Sequence, residues 1–299
     1  MFQLKAKLFD NQRVKDNYFR LLLRAPQIAE LAQPGQFVQV KIGDGCQPLL
    51  RRPFSIHRIS QGSPRHHVTT SPNYELIEIL YEVLGQGTQL LAQKKAGEYL
   101  DIIGPLGNGF NYRATGDGRR ATVLVAGGMG VAPLLFLADR IVTTLPLRLR
   151  SGQARHHVTR KTVVLLGAKT YRQILCEKDF KALGCAVKIA TDDGSRGFKG
   201  KVTELLKNIL VTSHKSQVTS QAYASCDIKY ATIYACGPYP MLKAVSNIAK
   251  HYDITAQVSL EAHVACGIGA CLGCVVNTRG GYQRVCKEGP IFNAEKIVW

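Results

Sequence analysis

The sequence predicts a multidomain chain: β first, then α/β, with a small cysteine-bearing segment at the end. Three observations predict it. Short β-rich runs separated by turn residues fill the first third. Apolar strands then alternate with helical stretches, the pattern of a parallel sheet with helices on its faces. Four of the nine cysteines fall between Cys266 and the last residue, Trp299.

Each region follows from its own pattern. In residues 1–115, the segments FRLLLRAP, QFVQVKIG, FSIHRIS and YELIEILYEVLG read as strands. In residues 116–256, ATVLVAGG, KTVVLLGAK, CAVKIATDDG and YATIYACGP read as buried strands, and PLLFLADRIV and PMLKAVSNIAKH as helices between them. Residues 257–299 form the cysteine-bearing tail. RHHVT occurs twice, at Arg65–Thr69 and Arg155–Thr159, and a related polar stretch runs from Val211 to Ser225. None has hydrophobic periodicity, so all three read as surface loop insertions, where added length costs little.

Composition narrows the function classes. A chain of 299 residues that is 45% hydrophobic has material for real cores. The net charge of +18 reads as basic residues on solvated loops, because no RNA-recognition, zinc-finger or helix-turn-helix pattern accompanies it. A nucleic-acid partner is not expected. The longest apolar run, VLVAGGMGVAPLLFLA, is too short to span a bilayer, so stable membrane insertion is not expected either. The N-terminal MFQLKAKLFD has no apolar signal region, which points to the cytoplasm and to reduced thiols. Clustered cysteines there read as metal ligands before disulfides.

The cysteine spacing is the most specific motif. Cys266-x4-Cys271-x2-Cys274 is followed after eleven residues by Cys286. A C-x4-C-x2-C run with a later cysteine is the plant-type arrangement for a [2Fe–2S] cluster, here with a shorter last gap. Gly267, Gly269 and Gly273 let the backbone wrap the inorganic core and bring N–H groups to its sulfides. A four-cysteine zinc site is the competing reading; such sites show paired C-x2-C knuckles, and only one pair here has that spacing.

Three further motifs point to phosphate and nucleotide ligands. Arg52-Pro53-Phe54-Ser55 opens a β run, followed by Leu80-Tyr81-Glu82 and by Gly85-Gln86-Gly87-Thr88. Arg52 can grip a diphosphate bidentately, Ser55 can hydrogen-bond a flavin ring, and Gly87 and Thr88 offer N–H and hydroxyl donors. An apolar strand runs into Gly127-Gly128-Met129-Gly130 and then a helix near Pro133, a turn that lets a diphosphate approach a helix N-terminus. Cys236-Gly237-Pro238 ends another strand at the edge where open α/β sheets bind ligands. ATDDGS, Ala190–Ser195, ends a third. Its acidic residues, Asp193 among them, suit ribose hydroxyls and repel a 2′-phosphate; Arg196 works against that inference.

RPFS, GQGT, VAGGMGVAP and YACGP in this order, with a terminal cysteine segment, resemble the ferredoxin–NAD(P)H reductase superfamily. VACGIGACLGCVVNT and RVCKEGPIF, helped by ATDDGS, make the chain most similar to the electron-transfer subunits of NADH-dependent (class 1B) dihydroorotate dehydrogenases. The resemblance implies an antiparallel FAD-binding β-barrel at 1–115, a Rossmann-like parallel-sheet NAD-binding domain at 116–256 and a small [2Fe–2S] domain at 257–299. It implies FAD contacts at Arg52, Pro53, Phe54, Ser55, Leu80, Tyr81, Glu82, Gly87 and Thr88. It implies NAD(H) as substrate near Gly127, Gly128, Gly130, Asp193, Cys236 and Gly237. The implied cluster ligands are Cys266, Cys271, Cys274 and Cys286. Glu82 departs from the family, which often has a basic residue there. No catalytic acid–base residue is expected, since the cofactors carry the chemistry.

The implied partner is an FMN-containing catalytic subunit that oxidises dihydroorotate, in a heterotetramer of two of each chain, serving pyrimidine biosynthesis. The sequence has no FMN-barrel pattern of its own. The alternative is a reductase subunit of another redox complex, of sulfide dehydrogenase, glutamate synthase or hydrogenase type. A zinc-bearing binding module is the remaining reading from outside the enzymes.

Overall fold

The protein is described by a computed structural model covering residues 1–43, 45, 48–61, 74–112, 121–143, 162–215 and 231–299. Both RHHVT segments, and Val211–Ser225 beyond residue 215, lie outside the described residues. Two compact units emerge. The first holds Met1–Phe110, Ser259–Phe292 and Lys296–Trp299; the second holds Asn111–Val258 and Asn293–Glu295. The tail, read from sequence as a domain of its own, gathers mostly with the first unit.

The first unit is built on a seven-stranded sheet in the order β4-β3-β7-β1-β2-β6-β5. Its strands are β1 (Phe2–Lys15), β2 (Tyr18–Arg24), β3 (Phe37–Lys41), β4 (Arg52–Ser55), β5 (Arg58–Gln61), β6 (Tyr74–Glu82) and β7 (Tyr99–Leu106). Every neighbouring pair is antiparallel. The two edge strands β4 and β5 are separated in the chain by Ile56 and His57 alone. A flat sheet of seven strands would be roughly 29 Å across, too wide for that link, so the sheet curls until its ends meet. Alternate residues fill the barrel: Leu8, Leu21, Leu23, Val38, Val40, Ile77, Ile79 and Ile102 are all fully buried. The helices α1 (Pro26–Leu31) and α2 (Gln86–Gln93) connect strands. FSIHRIS, expected as one strand, breaks into β4 and β5 because the chain turns the barrel corner at Ile56 and His57.

The second unit carries the parallel sheet. Its strands are β8 (Thr122–Gly127), β9 (Thr162–Ala168), β10 (Ala186–Thr191), β11 (Phe198–Lys199), β12 (Thr232–Cys236) and β13 (Thr255–Ser259). β8 and β12 are buried at every residue, as strands covered on both faces must be. The helices are α3 (Val131–Thr143), α4 (Glu177–Ala182), α5 (Val202–Lys215) and α6 (Tyr239–His251). The tail adds the hairpin β14 (Val275–Thr278) and β15 (Gly281–Arg284), and then β16 (Ile291–Asn293). The sheet order is β11-β10-β9-β8-β12-β13-β16. The chain therefore moves outward one way from β8 through β9 and β10, then returns to place β12 on the other side of β8. That reversal leaves a crevice at the carboxyl ends of β8 and β12, where open α/β sheets take ligands.

Candidate functional site

The hairpin β14–β15 brings Cys274 and Cys286 together. Cys274 immediately precedes β14 and Cys286 follows β15 by two residues, so the antiparallel register, Val275 opposite Arg284, closes the eleven-residue gap. The Val285 N–H donates to the Cys274 carbonyl at 3.0 Å, and the Cys286 N–H donates to the Cys274 Sγ at 3.5 Å. Upstream, the chain wraps through Gly267 (φ +76°) and Gly269 (φ +85°), left-handed conformations that a side chain would strain. That wrap aims the Ala270 and Cys271 N–H groups at Cys266 Sγ, 3.3 and 3.5 Å away. The Gly273 N–H reaches Cys271 Sγ at 3.4 Å.

The thiols thus form two pairs, Cys266 with Cys271 and Cys274 with Cys286. Burial opposes ionisation of Cys266, but hydrogen bonds from the Cys271 and Ile268 backbone, the Cys271 thiol and Ala270 outweigh it and bring its pKa down to about 6. Burial, then the hydrogen bond and charge of Cys274, push Cys286 up to about 12. Among the described residues, no three His, Cys, Asp or Glu side chains converge on a single ion. Two thiol pairs ringed by N–H donors fit a group with two metal centres, whereas a zinc site needs four ligands on one ion.

The barrel brings the second set of sequence-marked residues together. Arg52 on β4 lies directly over the first turn of α2: a Cβ on Gly87 would stand 2.9 Å from Arg52 Nε and 3.3 Å from its Cζ. The first N–H groups of a helix have no intrahelical acceptor, so guanidinium and helix turn together make an anion cradle. The Thr88 hydroxyl has a structural task instead. It accepts from the Leu84 N–H at 3.0 Å and the Gly85 N–H at 3.2 Å, and donates to the Gly85 carbonyl at 3.0 Å. The donors this turn can offer an anion are therefore backbone groups.

The β6 residues divide by depth. Leu80 and Tyr81 are buried. The Tyr81 ring is stacked on Phe19, centroids 5.6 Å apart, and tilted against Phe54 at 5.8 Å. Its hydroxyl donates to Asn11 Oδ1 at 3.0 Å. Burial raises its pKa to about 12 despite that bond. Glu82 accepts from Asn17 Nδ2 at 3.0 Å, so its carboxylate braces the β1–β2 turn. Pro53 is exposed; Phe54 and Ser55 are half-buried on β4.

In the second unit, the turn after β8 and the turn after β12 interlock. A Cβ on Gly130 would collide with the Cys236 carbonyl group and stand 2.9 Å from the Gly237 N. A Cβ on Gly237 would stand 3.0 Å from Gly127 Cα. Gly127, Gly128, Gly130, Cys236 and Gly237 thus meet at the switch point. Asp193 follows β10, two strands from β8, about 10 Å along the same edge. Its Oδ1 accepts from the Ser195 N–H at 2.9 Å and the Ser195 hydroxyl at 2.6 Å, which lowers its pKa. Ser195 Oγ in turn accepts from the Tyr171 N–H at 2.8 Å. Arg196 is tied to Glu177, Nη2 lying 3.0 Å from Oε1 and 2.8 Å from Oε2.

Sequence patterns missed two groups. Gln39 on β3 is fully buried; its Nε2 donates to the Val264 carbonyl at 3.3 Å, and its Oε1 has no partner among the described residues. Gln39 is unmarked within its strand, and only the fold shows that the tail covers it. Arg284 and Glu288 form an ion pair beside Cys286, and the Arg284 hydrogen bonds hold the Glu288 carboxyl down at about 2. Their i,i+4 spacing flanking a cysteine was the available signal.

Comparison with known proteins agrees with this geometry. The family "Iron-sulfur cluster binding domain of dihydroorotate dehydrogenase B" matches residues 261–298, and "Oxidoreductase NAD-binding domain" matches residues 124–247. Over 298 residues the chain is 37% identical to the "Dihydroorotate dehydrogenase B (NAD(+)), electron transfer subunit" of Desulforamulus reducens, covering 98% of this chain and 97% of that one. This chain belongs to the dihydroorotate dehydrogenase B electron transfer subunits. The Bacillus caldolyticus subunit of that name is 35% identical over 288 residues, 95% of this chain and 94% of its own. The fold of this family is shared with a solved NADH-dependent reduced ferredoxin-NADP oxidoreductase, TM-score 0.71, 24% identical, covering 98% of this chain and 90% of that one. Among the described residues of this electron transfer subunit, no helix is long and apolar enough to cross a membrane.

Proposed function

We propose that this chain carries electrons from the FMN of a dihydroorotate-oxidising catalytic subunit to NAD+, in a cytoplasmic complex of two chains of each kind. When bound, FAD exchanges a hydride with a nicotinamide and single electrons with a [2Fe–2S] cluster, which joins a two-electron carrier to a one-electron carrier. The residues of this chain bind, orient and tune. Cys266, Cys271, Cys274 and Cys286 hold the cluster. Arg52 and the first turn of α2 at Gly87 take the FAD diphosphate. Ser55 offers its hydroxyl to the flavin ring, and Pro53, Phe54, Leu80 and Tyr81 shape the wall behind it. Gly127, Gly128 and Gly130 leave backbone open to the dinucleotide diphosphate, with Cys236 and Gly237 closing the other side.

Asp193 stands at the end of β10 for ribose hydroxyls. Glu177 engages Arg196, a nearby cation that would otherwise suit a 2′-phosphate. That favours NAD(H) over NADP(H). Glu82 is withdrawn from phosphate binding by its sign and by its bond to Asn17.

The observation that carries this reading is the pairing of the tail thiols, Cys266 with Cys271 and Cys274 with Cys286, each pair met by backbone N–H donors. The test is a visible absorption spectrum of the chain co-expressed with its candidate catalytic subunit, purified without oxygen. Flavin and iron–sulfur bands should bleach on adding dihydroorotate and recover on adding NAD+. Bleaching by NADH but not by dihydroorotate moves the partner to another redox complex. A folded protein without those bands refutes the electron-transfer reading.

The phosphate cradle gives a separate expectation. Arg52→Ala removes a charge-assisted contact worth roughly 1.5–3 kcal/mol, so FAD affinity should fall about 10- to 150-fold. Fluorescence titration of the apoprotein with FAD measures it, and iron content should stay at the wild-type level. Unchanged FAD affinity would remove Arg52 from the site.

A further inference from the structure

Arg284 lies two residues before Cys286, and Glu288 two residues after it. The guanidinium forms a fork on Glu288: Nε donates to Oε2 at 3.0 Å, and Nη2 donates to Oε1. The Arg284 backbone N–H donates to the same Oε2 at 2.7 Å. The third arm of the fork points elsewhere. Nη1 donates to the Gly269 carbonyl at 2.9 Å, fifteen residues back along the chain in the wrap that holds the first cysteines.

That carbonyl belongs to the Gly269–Ala270 peptide. The N–H of the same peptide is the Ala270 group that donates to Cys266 Sγ at 3.3 Å. A cation hydrogen-bonded to the oxygen of an amide draws electron density from it and makes its N–H a stronger donor, because chained hydrogen bonds polarise one another. One side chain thus reaches the first thiol pair through a peptide unit and lies within two residues of a member of the second. Side-chain exposures of 26% for Arg284 and 32% for Glu288 place the pair where solvent screens it only in part.

We propose that Arg284 is a positioning residue that raises the reduction potential of the cluster by acting on Cys266 through the Gly269–Ala270 peptide, with Glu288 as the counter-charge that limits the rise. The proposal rests on the reading of Cys266, Cys271, Cys274 and Cys286 as cluster ligands. Reduction adds one negative charge to a cluster, and hydrogen bonds to its sulfurs and nearby positive charge favour that form. Removing the cation and removing its counter-charge must therefore move the potential in opposite directions. A clasp that only holds the loop in shape has no such signature.

The experiment is a redox titration of the full-length chain with its cluster, followed by the electron paramagnetic resonance signal of the reduced form, alongside an iron count. In Arg284→Gln, the reduced-to-oxidised ratio at a fixed potential should fall about tenfold, which is 59 mV for one electron. Arg284→Lys keeps the charge without the fork and should fall less. Glu288→Gln should shift the ratio upward, since the guanidinium keeps its bond to Gly269 and loses its counter-charge. If Arg284→Gln loses its iron, Arg284→Lys and Glu288→Gln decide the matter. A Glu288→Gln potential that is unchanged, or that falls as in Arg284→Gln, overturns the proposal. A wild-type chain with neither iron nor signal refutes the cluster reading itself, a result distinct from a wild-type signal that the variants leave unmoved.

Discussion

Cys274→Ser is expected to cost the protein its cluster: iron and acid-labile sulfide per chain should fall roughly tenfold or more, because an alkoxide is a poor substitute for a soft thiolate. Cys274 is the sharpest place to test the ligand set. It is 2% exposed and its sulfur already accepts the Cys286 N–H, so no water or buffer thiol can readily take its place. The residues proposed to hold the flavin, Arg52 and the first turn of α2, are untouched, so flavin binding should persist. NADH should therefore still bleach the flavin band of Cys274→Ser, while bleaching by dihydroorotate through the catalytic subunit should be lost. Cys185→Ser is the control. Cys185 is also buried, at 7% exposed, and burial pushes its thiol up to about 11, which marks an inert packing residue. Its variant should keep full iron. Full iron in Cys274→Ser would remove that residue from the ligand set and reopen a different binding mode for the tail.

The fold was legible where the hydrophobic pattern was strong. β8, β9, β10 and β12 lie within the segments ATVLVAGG, KTVVLLGAK, CAVKIATDDG and YATIYACGP, and α3 and α6 cover the two segments read as helices. Strands buried on both faces leave continuous apolar runs, and such runs need no tertiary knowledge to find. β1 left no such trace. Fourteen residues long, it is buried only at Ala6 and Leu8, and FQLKAKLFDNQRVK shows more charge than period. Its place in the sheet comes from pairing with β2 and β7, which is information between strands rather than within one.

The site divides the same way. Cysteine spacing and glycine turns are local chemistry, so Cys266 to Cys286 and Gly127 to Gly130 could be marked in advance. What a residue faces is not local. Thr88 reads as a phosphate donor, yet its hydroxyl caps α2 at Gly85. Arg196 reads as a charge near a ribose, yet Glu177, from a helix nineteen residues earlier, engages it. Gln39, unmarked within its strand, is fully buried under a tail more than two hundred residues away. The last two partners are ones that sequence distance hides.

Gly130→Val should damage the switch point more than any other single change in the second unit. Its Cβ would fall on the Cys236 carbonyl, a backbone group with no rotamer to yield. Forcing volume into a packed site typically costs about 1–3 kcal/mol, and here the strain can be relieved by parting the turn after β8 from the turn after β12. Those are the two turns proposed to frame the dinucleotide, so the same distortion that lowers stability should also weaken its binding. The expected result is a lower urea midpoint together with NADH affinity down roughly 5- to 150-fold, the same 1–3 kcal/mol expressed as binding. Flavin and iron content should hold, because the residues proposed to bind them belong to the first unit. Gly128→Ala separates packing from backbone strain. Gly128 has φ +53° but nothing within 4 Å of its Cβ position, so it should lose only the conformational cost of about 1–2 kcal/mol. Stopped-flow reduction by NADH over a range of concentrations distinguishes the two variants. A Gly130→Val protein that takes up NADH as the wild type does would show that the interlocked turns are scaffold alone, and would move the nucleotide site away from β8 and β12.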